Sequence, residues 1–129
     1  ELSQALVRLG DRDAMRDRHS IPKLANRILA AHLPVLGTAK VLHALAGAFN
    51  RHDVMRPHKL AILYVFHEML LASADKSDFV ADGARHFLEL IGQSIAQLPV
   101  DKLGPFMKLL KMWSHVYTER YLKHLKSAW

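Results

Sequence analysis

Lys108, Lys111 and His115 follow one another at intervals of three and four residues, so on a helix their basic side chains form one stripe opposite Phe106, Leu109, Leu110 and Trp113. Lys23 and Arg27 stand one turn apart in the same way, on the side away from Ile21, Leu24 and Ile28. Like charges at that spacing cost about 0.2–0.5 kcal/mol per pair in an isolated helix, and an anion bound between them reverses the sign. The chemistry open to these residues is therefore the capture of phosphate or carboxylate. The competing reading of each stripe is a solvated helix face with no ligand.

Metal and covalent chemistry find less support. His67-Glu68 opens the metalloprotease pattern, in which a second histidine follows one turn later, but that position is Leu71. The nine histidines stand at 19, 32, 43, 52, 58, 67, 86, 115 and 124, with no two at the spacing of a helical chelate. Only a site assembled from separate helices would remain. The absence of cysteine removes thiolate zinc sites, thiol nucleophiles and disulfides. None of the six glycines lies in a phosphate loop or dinucleotide motif, and no serine occupies a nucleophile elbow. The expectation is a protein that is not an enzyme, without cofactor or metal.

The net charge of +6 is unevenly distributed. Residues 1–20 balance to zero, with four arginines against Glu1, Asp11, Asp13 and Asp17. Residues 21–51 carry Lys23, Arg27, Lys40 and Arg51 with no acidic residue, the middle of the chain is slightly acidic, and residues 101–129 return to +4. If the fold brings the two basic segments together, they form an electropositive wall for an acidic or phosphorylated partner.

Prolines and capping residues cut the 129 residues into helix-sized pieces, and period-two alternation is missing, so the predicted fold class is all-α, in one domain excised from a longer protein. A first helix spans Glu1 to Leu9, ended by Gly10. Ser20 caps a second from Ile21 to Leu33, with Ile21, Leu24, Ile28 and His32 on one face and Pro34 as its stop. Thr38 caps a third, reaching about Arg51, and Arg56-Pro57 leads into a central helix from His58 to Ser73. Asp78 caps a fifth, Phe79 to Leu98, with Val80, Ala84, Phe87, Ile91 and Ile95 repeating at helical spacing. Asp101 opens a sixth that runs through Trp113, and a last helix covers Thr118 to Ala128. Short connections between antiparallel-capable helices suggest successive hairpins stacked into a right-handed superhelix of about seven or eight helices.

In the central helix, apolar residues from Leu60 to Leu71 leave no wide polar face, which is the mark of a helix enclosed by others. Its polar members, Tyr64, His67 and Glu68, need partners if buried. Tyr64 reads as core before ligand contact. No apolar run is long enough to span a bilayer, and residues 1–20 are too charged for a signal peptide.

Lys59 to Met69 follows, in its lysine, apolar and Leu63-Tyr64 positions, the central-helix pattern Lys-Leu-Pro-Leu-Leu-Tyr-Leu-Ile-Asp-Ser-Ile. Ser20-Ile21 with Leu24-Ala25, and Leu109-Leu110-Lys111-Met112-Trp113 with Tyr117, look like the flanking signatures of the same family. On these residues the chain resembles the CTD-interacting (RPR) domain, a relative of the ENTH and VHS superhelices. The resemblance implies binding of the phosphorylated C-terminal tail of the largest RNA polymerase II subunit, in transcription termination or RNA 3′-end processing, in the nucleus. It also implies a peptide groove across the second, central and penultimate helices, with Lys108 at the phosphate-contacting position. His67 falls where the family's aspartate meets the turn of the peptide, Glu68 replaces the following serine, and Leu71-Ala72 replaces a lysine-asparagine pair. The peptide- and phosphate-binding set expected from stripes and resemblance together is Lys23, Arg27, Tyr64, His67, Lys108, Lys111 and His115.

Two rival functions use the same basic surface. A trafficking module of the VHS or ENTH type would read sorting peptides or anionic lipids. An RNA-binding helical domain would release counterions from the backbone, although the chain lacks a glycine-flanked aromatic cluster for base stacking.

Overall fold

The computed structural model describes residues 2–8, 20–51, 56–72, 77–99, 101 and 103–128, and among them every regular element is helical. In chain order the α-helices are α1 (Leu2–Arg8), α2 (Ser20–Arg27), α3 (Leu33–Leu36), α4 (Thr38–Phe49), α5 (Arg56–Ala72), α6 (Ser77–Gly83), α7 (Gly92–Ala96), α8 (Gly104–Met112) and α9 (Glu119–Ala128). A π-helical turn, Ile28–His32, joins α2 to α3, and a second, Ala84–Leu88, continues α6. A 3₁₀ turn, Trp113–His115, follows α8.

Helix α5 is the hub, as its composition demands. Ile62, Leu63, Val65, Phe66, Met69 and Leu70 are all buried, and α2, α4, α6 and α8 pack on it. Helix α1 lies on α4, the second π-turn also packs on α4, and α9 closes the far end against α7 and α8. One hydrophobic core runs from Leu2 and Leu6 to Leu125. Phe106, Leu109, Leu110 and Trp113 are buried in it, as their spacing predicts, and so are Leu24 and Ile28 on α2 and its π-turn.

Boundaries differ from the sequence reading in instructive ways. Pro34 does not stop the second helix. The chain passes through the π-turn, in which the Leu33 N–H bonds to the Ile28 carbonyl, and Pro34 lies in the first turn of α3, where a missing N–H loses nothing. The stop is Gly37, at φ 85°, a left-handed conformation that favours glycine. Thr38 is the first residue of α4 and not its cap.

The predicted fifth helix is broken as well: α6 and its π-turn end at Leu88, and α7 restarts at Gly92. Asn50 supports that break, its Nδ2 donating to the Leu90 carbonyl at 2.9 Å while its Oδ1 accepts from Ser94 Oγ at 2.5 Å. Asp78 lies inside α6, and α8 begins at Gly104, with Pro105 in its first turn, instead of at Asp101. Thr118 stands just outside α9 and caps it, Oγ1 accepting the Tyr121 N–H at 3.2 Å. Gly10, expected to end the first helix, lies outside the described residues.

Candidate functional site: basic helices and two clefts around the central helix

Lys23 and Arg27 are exposed on α2, and Lys108 and Lys111 are exposed on α8. Both helices pack on α5, and neither Ser20–Arg27 nor Gly104–Met112 contains an acidic residue. Among the described residues none of the four cations has an ion-pair partner; the salt bridges seen are Lys123 with Glu119 at 3.6 Å and His124 with Glu89 at 3.5 Å. His115 lies in the 3₁₀ turn beyond α8, and its side chain falls outside the described residues.

Arg27 and Lys111 line different clefts. Arg27 faces α1, in a cleft of about 340 Å³ lined by Gln4, Ala5, Arg8, Arg27, Ala31 and His32. Lys111 faces α9, in a groove of about 350 Å³ whose floor is Met107, Leu110 and Leu122 and whose rim is Lys111, Lys123, Lys126 and Glu119. The clefts share no residue. Arg8 and His32 were absent from the expected set. Arg8 sits in a segment whose charges cancel, and α-helical periodicity sets His32 about 140° away from Arg27. The π-turn overrides that period, since a ladder of i→i+5 bonds stacks the fifth residue roughly one turn above the first.

His67 is a correction to the expected contact with a bound peptide. It is buried, and its Nδ1 accepts the indole N–H of Trp113 at 2.9 Å. Burial holds its pKa below the ordinary value, against an opposing pull from Glu68, so the ring is neutral with its proton on Nε2. Tyr64 is half-buried, packs against the core, and meets His67 edge to face with centroids 6.4 Å apart. From Trp113 a run of rings continues through Tyr117 and Tyr121 to His124. Burial raises the pKa of both tyrosines, and the Glu89 carboxylate raises Tyr121 further. The Tyr121 hydroxyl is buried and, despite the nearby carboxylate, has no partner in hydrogen-bonding geometry among the described residues.

Lys59, the first residue of the family-like pattern, also turns inward. Its buried Nζ donates to the carbonyls of Phe49 and Arg51 and lies 5.0 Å from the Phe49 ring centroid. A cation there satisfies the carbonyl end of α4. Beside it Asn50, Ser94, Gln93 and Gln97 line a polar cleft of about 370 Å³.

The structure does join two histidines from separate elements, His43 on α4 and His86 on the second π-turn, with Nε2 and Nδ1 3.0 Å apart. Among the described residues no group of three or more metal-ligating side chains forms, and no helix is long and apolar enough to cross a membrane. Comparison with protein-family models, with curated proteins and with solved structures found no match to this chain.

Proposed function

We propose that this chain is a non-catalytic interaction domain of the CTD-interacting kind, a right-handed superhelix of about seven or eight helices that binds a phosphorylated or acidic peptide. The partner it would serve is the C-terminal tail of the largest RNA polymerase II subunit or a divergent equivalent, in transcription termination or RNA 3′-end processing in the nucleus. The observation that carries this reading is that the two acid-free basic helices, α2 and α8, flank the same central helix α5 with all four cations exposed. On this reading a strand of negative charge crosses α5 from the α2 cations to those of α8. With His67 buried against Trp113, half-buried Tyr64 is left as the contact from α5, and the half-buried Glu68 carboxylate opposes an anionic strand there.

Binding of this kind is electrostatic and exposed, so affinity falls as ionic strength rises and the Debye length shortens. Calorimetric titration with polymerase-tail peptides, with and without phosphoserine, at low and near-physiological salt tests the proposal. A preference for the phosphorylated peptide that weakens with salt supports it. Binding only to anionic vesicles, or only to RNA, contradicts it in favour of a trafficking or RNA-binding role.

A further inference from the structure

We infer that the cleft between α1 and the first π-turn is a phosphate-monoester site, with Arg8 and Arg27 as its charged walls and His32 and Gln4 as additional hydrogen-bonding groups. This rests on the reading above that the partner carries phosphate, and it joins Arg27 of the second stripe to Arg8, His32 and Gln4, which the stripes did not contain.

Three observations converge on it. First, the described residues lining the cleft of about 340 Å³ are two arginines, a histidine, a glutamine and two alanines, with no carboxylate among them. Among the described residues neither arginine has an ion-pair partner. Two arginines are the donors best matched to a phosphate, because each planar fork presents parallel N–H groups to paired oxygens.

Second, the other residues lining the cleft, Ala5 and Ala31, have small side chains that leave room for an oxyanion. Third, the convergence depends on a costly backbone feature. Ile28–His32 is π-helical, and His32 lines the same cleft as Arg27. Such turns are rare and concentrate at functional sites. A regular α-helix through the same residues would swing His32 away from the cleft.

The chemistry separates phosphate from carboxylate. A phosphate monoester carries nearly two negative charges at neutral pH and three acceptor oxygens, enough to engage both arginines and His32 together. A carboxylate has two oxygens and one charge and satisfies a single fork. The site is therefore expected to favour phosphoserine over glutamate.

The test uses the whole chain and three probes: a phosphoserine polymerase-tail peptide, the same peptide with glutamate at that serine, and inorganic phosphate. Binding is followed by two-dimensional NMR and by calorimetry, with Arg8→Ala, Arg27→Ala and Arg27→Lys variants checked for native circular dichroism. All three substitutions are at exposed positions. The inference expects phosphate and phosphopeptide to shift signals of Arg8, Arg27, Ala31 and His32. Each alanine variant should lose about tenfold or more in phosphopeptide affinity, Arg27→Lys should recover only part of it, and the glutamate peptide should change little.

Phosphopeptide binding that shifts α5 and α8 alone and ignores Arg8→Ala and Arg27→Ala overturns the inference and leaves the proposed function standing. Phosphate shifts in the cleft without any peptide binding uphold the site and overturn the peptide reading. No shift from any probe overturns both.

Discussion

The indole N–H of Trp113 donates to Nδ1 of His67 across 2.9 Å inside the core, joining α5 to the end of α8. Trp113 is fully buried and His67 almost so. The bond requires an unprotonated Nδ1, and burial keeps the ring neutral by lowering its pKa from 6.5.

That geometry predicts an acid-sensitive core. As pH falls below about 6.5, the unfolded chain takes up the imidazole proton before the folded one does. The stability contributed by neutral His67 is thus complete above that pH and is lost progressively down to the depressed folded pKa. Below both values no further loss comes from this group. Urea midpoints measured from near pH 8 down to pH 5 should fall for the native sequence. His67→Gln, whose amide oxygen can still accept from Trp113, should fall measurably less; parallel curves for the two would refute the assignment.

Lys59→Met should destabilise the fold by about 1–3 kcal/mol, the cost of leaving the Phe49 and Arg51 carbonyls without this donor. Because Lys59 is buried, peptide affinity of the folded variant should be unchanged within about twofold. Chemical denaturation and calorimetry separate the two effects. A large affinity loss at unchanged stability would move Lys59 from structure to binding.

Gly83→Ala tests how tightly α6 packs on α5. A Cβ at that position would come within 2.9 Å of the Phe66 ring and 3.1 Å of the Tyr117 hydroxyl. Overpacking costs about 1–3 kcal/mol, while the gain in helix propensity is at most about 1 kcal/mol. The variant should therefore unfold at a lower temperature than the native chain. An unchanged or raised midpoint would mean that the ring moves aside without cost.

Much of this architecture was legible in the chain. Helical spacing identified the buried face of α8 and the burial of Leu24 and Ile28, because apolar periodicity reports directly which side of a helix meets the core. Thr118 reads from sequence as the first residue of the last helix, and its role as the cap emerges only from the structure. The two π-turns were not legible, since a shift from i→i+4 to i→i+5 bonding changes no residue type and is set by tertiary packing. Pro34 was misjudged for that reason, and the grouping of Arg8, Arg27 and His32 was missed with it. His67 and Lys59 illustrate a different limit. A polar residue on an apolar helix is either a contact or a satisfied core group, and only its partners, Trp113 and the α4 carbonyls, distinguish the two.

In the proposed complex a phosphorylated segment crosses α5 between the cations of α2 and α8. The most direct measurement is a two-dimensional NMR titration of the native chain and of Lys108→Ala with singly and doubly phosphorylated polymerase-tail peptides. Shifts concentrated on α2, α5 and α8, with affinity reduced about tenfold by the substitution, are the predicted result. Shifts that are absent, scattered over the surface, or indifferent to Lys108→Ala would contradict it.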